Sequence, residues 1–260
     1  MGLVDHERLR ALYEQIALRN LKATIPPGDR RYALNRLFAL NRITEGIELS
    51  PHFAGKYPGR PLVIVDVGSG NGGAAIGLAN ERSNTVVAVD ILPNPTLAEL
   101  RIKTKIPVHQ VVASAFHLPF RTEAVDVVLC LETVEHLERL PQAGREMMRL
   151  LKPGGQVMIT TPARFRFLLR PDPHFAIPGL LLLPDPLQRF AVLRRFPRVT
   201  HYDVHHLFWT AWGVIRSFPG RGRTETLVGI PWPGRPRNVR EILWKLLRHF
   251  LWDRIVIYRK

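Results

Sequence analysis

Leu62, Val63, Ile64 and Val65 run into Asp66 and then into Gly68, Gly70, Gly72 and Gly73. This β-branched run is too short for an ordinary helix and reads as a buried strand. The glycines that stop it admit positive φ and let a ligand approach bare backbone. Residues 74–81 read as the helix that follows. A strand, a glycine turn and a helix N-terminus together form a pocket for a nucleotide-sized ligand. Gly68, Gly70 and Gly73 also fit the GxGxxG spacing of dinucleotide binders, so the turn alone leaves the ligand open.

The next apolar run, 85–89, ends at Asp90. A carboxylate at a strand tip about twenty residues past such a turn is suited to accept hydrogen bonds from two ribose hydroxyls. Further strands are expected at 107–112, 124–131 and 156–161, with a helix ending at 147–151 and a turn at 152–155. This alternation predicts an α/β, doubly wound and mostly parallel sheet covered by helices on both faces. Ahead of it, 5–22 and 29–48 have helical apolar periodicity, the second with Leu34, Leu37, Phe38 and Ile43 as its stripe. They are expected to form an N-terminal cap over 1–61, with a lid over the pocket as the sharper role.

The net charge of +15 is unevenly spread. Residues 1–61 carry 10 basic and 6 acidic side chains, 62–162 carry 9 and 10, and 163–260 carry 18 and 6. The basic excess thus follows the near-neutral core and favours anionic partners, unless it is only a solvated face. Cys130 is the single cysteine, which rules out an internal disulfide and a cysteine zinc cluster. The first residues lack a signal-peptide pattern, and the apolar patch around 180–183 is broken by Pro178 and Pro184. A cytoplasmic protein is expected, with peripheral attachment to a membrane kept open.

Taken in order, VDVGSGNGG (65–73), VVAVD (86–90), HLPF (117–120), VDVVLCLETVEHL (125–137) and LKPGG (151–155) resemble the motifs of class I S-adenosylmethionine-dependent methyltransferases, and their ubiquinone-type, small-molecule branch in particular. The resemblance covers about residues 45–162. It implies a Rossmann-like, seven-stranded sheet with one antiparallel closing strand lodged between the last two parallel ones, a role that suits 254–260. The expected organisation is then a cap at 1–61, a cofactor-binding core at 62–162, a basic substrate-recognition insert at 163–223, and two last strands with a connecting helix at 224–260.

The same resemblance implies S-adenosylmethionine as donor. Asp66 would order its methionine amine, Gly68, Ser69 and Gly70 would approach its carboxylate and sugar, and Asp90 would hold the ribose. Ile91, Ser114, Ala115, Cys130 and Leu131 complete the implied cofactor set. Ser114 stands where the family often has an aspartate for the adenine amine. Asp126, opening a strand, reads as structural, and His117 as a loop residue near the adenine.

Glu132, Glu135 and His136 follow the fourth strand with helical i, i+3, i+4 spacing, which would put them on one face above the pocket. Two roles follow. His136 and Glu132 would act on the acceptor as base and orienter. Alternatively Glu132, Glu135 and His136, completed by His201, would hold a divalent ion such as Mg2+, in the manner of ubiquinone-type and small-RNA 2′-O-methyltransferases. Helix-start carboxylates interacting with the helix dipole are the plain structural reading.

The region from 163 to 238 mixes arginine, proline and aromatic residues and should shape the acceptor pocket. The apolar 177–183 patch, with Arg189, Arg194, Arg195 and Arg198 behind it, would suit an anionic bilayer and a lipid-linked acceptor. Arginine interleaved with aromatics would instead suit RNA. A small-molecule or lipid-linked acceptor, methylated first on oxygen, is the preferred reading. An RNA methyltransferase is the alternative, along with a non-catalytic cofactor-fold protein that binds a membrane or partner. A helix at 239–252 is expected to pack on the sheet.

Overall fold

The structure is a computed structural model that describes residues 3–24, 30–80, 84–164, 175, 177–196, 204, 208, 210–227 and 254–259. Seven strands form one sheet: β1 Val63–Val67, β2 Thr85–Asp90, β3 Val108–Val112, β4 Val125–Leu131, β5 Leu151–Thr160, β6 Arg221–Leu227 and β7 Arg254–Arg259. Their order is β3-β2-β1-β4-β5-β7-β6. The first five run parallel, and β7 is antiparallel to both β5 and β6. The expected closing strand therefore lies where the sequence places it. β6 begins three residues before the expected 224, and 228–230 and the helix expected at 239–252 lie outside the described residues.

Strand alternation sorts the core onto two faces. Ile64, Val86, Ala88, Val127, Leu129, Met158 and Val256 join one cluster with the buried residues of helices α1 His6–Thr24, α2 Arg30–Lys56, α3 Gly73–Ala79 and α4 Pro95–Thr104. Val65, Val87, Val128, Cys130, Ile159 and Ile257 join the other, under α5 Leu140–Leu150 and α7 Ala211–Ile215. Each fully buried aliphatic side chain contributes about 1.5–3 kcal/mol, which makes these two layers the main stabilising term.

The stretch expected to form a cap contains α1 and α2. Leu9, Tyr13, Ile16, Ala17 and Ile43 are buried in the first cluster, whereas the side chains of Leu34, Leu37 and Phe38 lie outside the described residues. α2 runs past the expected end at 48 to Lys56, with Pro51 inside it. It lies tightly on α3: a Cβ on Gly46 would fall 2.3 Å from the Ala74 carbonyl oxygen, and one on Gly77 2.8 Å from the Ile47 nitrogen. The small residues of GAAIGLA are what let two helix backbones approach so closely.

Two local expectations are corrected. The turn read at 152–155 is an irregularity within β5: Val125 pairs with Leu151 but Val127 with Gln156, so extra residues bulge out of the ladder. Apolar residues 177–183 mostly fill a small core of their own: Leu180 and Leu181 are buried, and Leu180 clusters with Phe175, Val192 and Val204 under α6 Asp185–Arg195. Asp126 is structural as expected, accepting hydrogen bonds from Val63 N, Lys152 Nζ and Arg60. Among the described residues no helix is long and apolar enough to cross a membrane.

Candidate functional site

The carboxyl ends of β1, β2 and β4 open into a cavity of about 390 Å3. Gly68, Asp90, Ile91, Ser114, Ala115, Glu132 and His136 all line it, together with Phe116, Thr133 and Glu138. The sheet brings them together because all these segments follow parallel strands that end on the same edge.

The glycine turn forms the floor. Gly68 has φ +76°, and a Cβ there would fall 2.3 Å from Thr133 Cγ2 and 2.4 Å from Thr133 Oγ1. Gly70 also has positive φ, and nothing lies within 4 Å of where its Cβ would be, so that backbone faces open space. Asp90 receives the turn directly: Oδ2 accepts from Gly70 N at 2.8 Å and Oδ1 from Leu92 N at 3.2 Å. Its carboxylate is thereby fixed at the cavity edge with lone pairs to spare. Asn94 also reaches the turn, donating to the Gly70 carbonyl while capping α4 by accepting from Leu97 N.

Asp66, one residue before the cavity-lining Val67, is 2% exposed and faces the α1/α2 side of the sheet. Burial pushes its carboxyl up to about 7, with Arg42 opposing that rise and Glu45 and Asp90 adding to it. Arg42 stands 2.7 Å from Glu45 as an ion pair, at an angle that leaves Nη1 without a formal hydrogen bond. The Tyr13 hydroxyl, also buried, lies 2.7 Å from where a Gly73 Cβ would be. Sequence reasoning missed Tyr13, Arg42 and Glu45. Tyr13 reads as one more apolar member of a stripe, and nothing local to Arg42 announces that it comes close to the glycine turn at Gly73.

Ser114 lines the cavity, and its Oγ accepts from Phe116 N at 3.2 Å, which leaves its hydroxyl hydrogen free for a ligand. The Arg139 guanidinium lies 4.6 Å over the Phe116 ring. Besides Asp66 and Gly70, which adjoin the cavity without lining it, three more implied cofactor residues do not reach it. Cys130 is buried in the α5/α7 core, where burial pushes its thiol up, and Leu131 packs on the opposite face. Ser69 contributes backbone only, donating to Val89 O and accepting from Gly72 N. His117 is exposed and lies outside the lining.

Glu132, Glu135 and His136 do not share a helical face. Glu132 has φ +49°, the left-handed region, and only a single 3-10 turn, Val134–His136, follows before α5 begins at Leu140. The unusual backbone is held by Glu132 N donating to Thr160 O at 2.9 Å and Thr160 Oγ1 at 3.1 Å. The result splits the cluster. Glu132 and His136 line the cavity, whereas Glu135 is fully buried with Oε2 accepting from Thr161 Oγ1 at 3.0 Å. Burial, reinforced by Glu132, raises the Glu135 carboxyl well above the ordinary range. Among the described residues no three His, Cys, Asp or Glu side chains are grouped as a metal ion would require. His201 lies outside them.

Comparisons with known proteins agree with this geometry. The family described as "Methyltransferase domain" matches residues 65–159. A ubiquinone biosynthesis O-methyltransferase of Pseudomonas fluorescens (strain SBW25) is 34% identical over 62% of this chain and 65% of its own length. Phosphoethanolamine N-methyltransferase 3 of Arabidopsis thaliana is 31% identical over 52% of this chain and 28% of its own. The matched stretch is thus less than two thirds of either relative. The PH0226 protein of Pyrococcus horikoshii OT3 shares the fold, with TM-score 0.56 at 20% identity over 92% of this chain and 98% of that one. Motif order, strand order and family match agree: residues 65–159 carry a methyltransferase domain of the class I S-adenosylmethionine-dependent type.

Proposed function

We propose that the protein transfers a methyl group from S-adenosylmethionine to a small-molecule acceptor, with oxygen as the receiving atom. The observation that carries this reading is the single cavity edge on which a donor half, Gly68, Asp90 and Ser114, meets an acid–base pair, Glu132 and His136. The name of the Pseudomonas relative is consistent with oxygen, and that of the Arabidopsis relative with nitrogen.

The residues present fit the donor. The bare Gly70 backbone leaves room at the turn, the Asp90 carboxylate suits a ribose diol, and the Ser114 hydroxyl suits an adenine ring nitrogen. Asp66, beside the turn, supplies negative charge for the methionine ammonium once it loses its proton. When bound, the donor supplies an electrophilic methyl on a sulfonium whose sulfide leaves without needing a proton. Positioning is therefore most of what the protein must add. His136 takes the proton of an acceptor hydroxyl, and Glu132 orients the imidazole or the acceptor.

Calorimetric titration with S-adenosylmethionine, its demethylated product and NADH tests the donor. Binding of the first two alone is expected. A screen of phenolic and lipid-linked acceptors with a labelled methyl donor then tests the acceptor class. Binding of NADH alone, or of none of the three, would overturn the proposal.

A further inference from the structure

We propose that the outer face of α6 is a docking surface for an anionic lipid bilayer. Gln188 and Val192, one turn apart, are buried against the small core of Phe175, Leu180 and Val204. At about 100° per residue, the opposite side of the helix presents Leu187, Phe190 and Leu193. Leu187 is 52% exposed and Phe190 60%, and Leu182, just ahead of the helix, is 56% exposed. Arg189 borders one side of this apolar strip, while Arg194 falls within its span near the end of the helix and Arg195 follows. The one acid of the helix, Asp185, is engaged by Arg164 at 3.5 Å and by Gln188 Nε2 at 3.3 Å.

An apolar strip edged and ended by arginines, on a helix lying along the surface, is the arrangement that enters a headgroup boundary while cations meet anionic lipid. Charge complementarity selects the occupant: residues 163–260 carry 18 basic and 6 acidic side chains. A short path ties the surface to the cavity. Arg164 donates to Leu181 O and Leu183 O at 2.8 Å, pinning the entry to α6 three residues beyond Thr161, the partner of Glu135. A bilayer under α6 would thus sit close to the acceptor side of the site.

Co-sedimentation of the full chain with phosphatidylcholine vesicles, with and without phosphatidylglycerol, tests this independently of methyl transfer. The wild type is expected to sediment only with the anionic vesicles. Leu187→Glu/Phe190→Glu, at exposed positions, is expected to fall to the phosphatidylcholine level with its melting temperature unchanged. Ile102→Glu, at an exposed apolar position on α4, is expected to keep full binding. Failure of the wild type to sediment overturns the proposal. So does undiminished binding by the double variant, which would assign attachment to general basic charge.

Discussion

Thr133 occupies the space that any side chain at Gly68 would need, its Cγ2 and Oγ1 lying 2.3 and 2.4 Å from the position of a Gly68 Cβ. Thr133 Oγ1 also donates to the Gly68 carbonyl at 3.3 Å and to Leu131 O at 3.1 Å, so the hydroxyl ties the glycine turn to the end of β4. This contact joins the glycine-turn side of the cavity to the Glu132–His136 side.

Gly68→Ala meets two penalties, a left-handed backbone costing about 1 kcal/mol and overpacking against Thr133 of about 1–3 kcal/mol. A lower melting temperature and loss of calorimetric donor binding are expected. Ser69→Ala, in the same turn, should alter neither, because Ser69 contributes only its backbone.

Donor affinity should rise as pH rises through about 7, because Asp66 then becomes the carboxylate that attracts the ammonium. Below that pH the loss approaches about tenfold per unit. Asp66→Asn should bind weakly with a flat profile. Stability moves the other way. The folded chain keeps the Asp66 proton up to about 7 and the unfolded chain only up to 3.8, so between these values the folded state holds more protons and this group's contribution falls as pH rises. Titrations and melts across pH 5 to 8 check both signs.

His136→Ala should leave donor affinity intact and lower turnover about 100-fold, the scale of a lost general base. Steady-state rates on an acceptor from the screen, beside calorimetry on the same variant, decide it. Unchanged turnover would remove His136 from the mechanism.

Glu135→Gln should keep the stability at neutral pH, read from melting, within about 1 kcal/mol of wild type, since burial pushes the carboxyl toward its neutral form and an amide oxygen also accepts from Thr161. Added Mg2+ should not shift either melt. A marked Mg2+-dependent shift in the wild type alone would restore the metal reading of the Glu132–His136 segment.

Asn94→Ala should cost about 1 kcal/mol from the lost α4 cap and also weaken donor binding, because the same side chain donates to Gly70. Paired melting and calorimetry would separate the two effects.

Three of the parallel strands were legible because each is a short β-branched run that ends at a candidate site residue: Asp66 into glycine, Val89 into Asp90, Leu131 into Glu132. The closing strand was legible through the family resemblance. What escaped was nonlocal. The E-x-x-E-H spacing is helical on paper, but Thr160, on a neighbouring strand, holds Glu132 at positive φ and turns the cluster apart. Cys130 sits in a family motif, yet the pleat of β4 faces it away from the cavity. Tyr13 and Arg42 come close to Gly73, and Arg42 acts on the charge of Asp66, only because α1 and α2 lie on that face of the sheet. The Asn94–Pro95 cap signal for α4 was present in the sequence, and its second bond to Gly70 was not.

The insertion of β7 between β5 and β6 also sets an order of events during synthesis. β6 leaves the ribosome with no strand to pair with, and the outer edge of β5 stays open until residues 254–259 emerge. A nascent chain halted before Arg254 would therefore expose two unpaired strand edges, at Val157–Ile159 and Thr224–Thr226, and be cut there by protease. The donor cavity, built wholly from earlier residues, would already be in place.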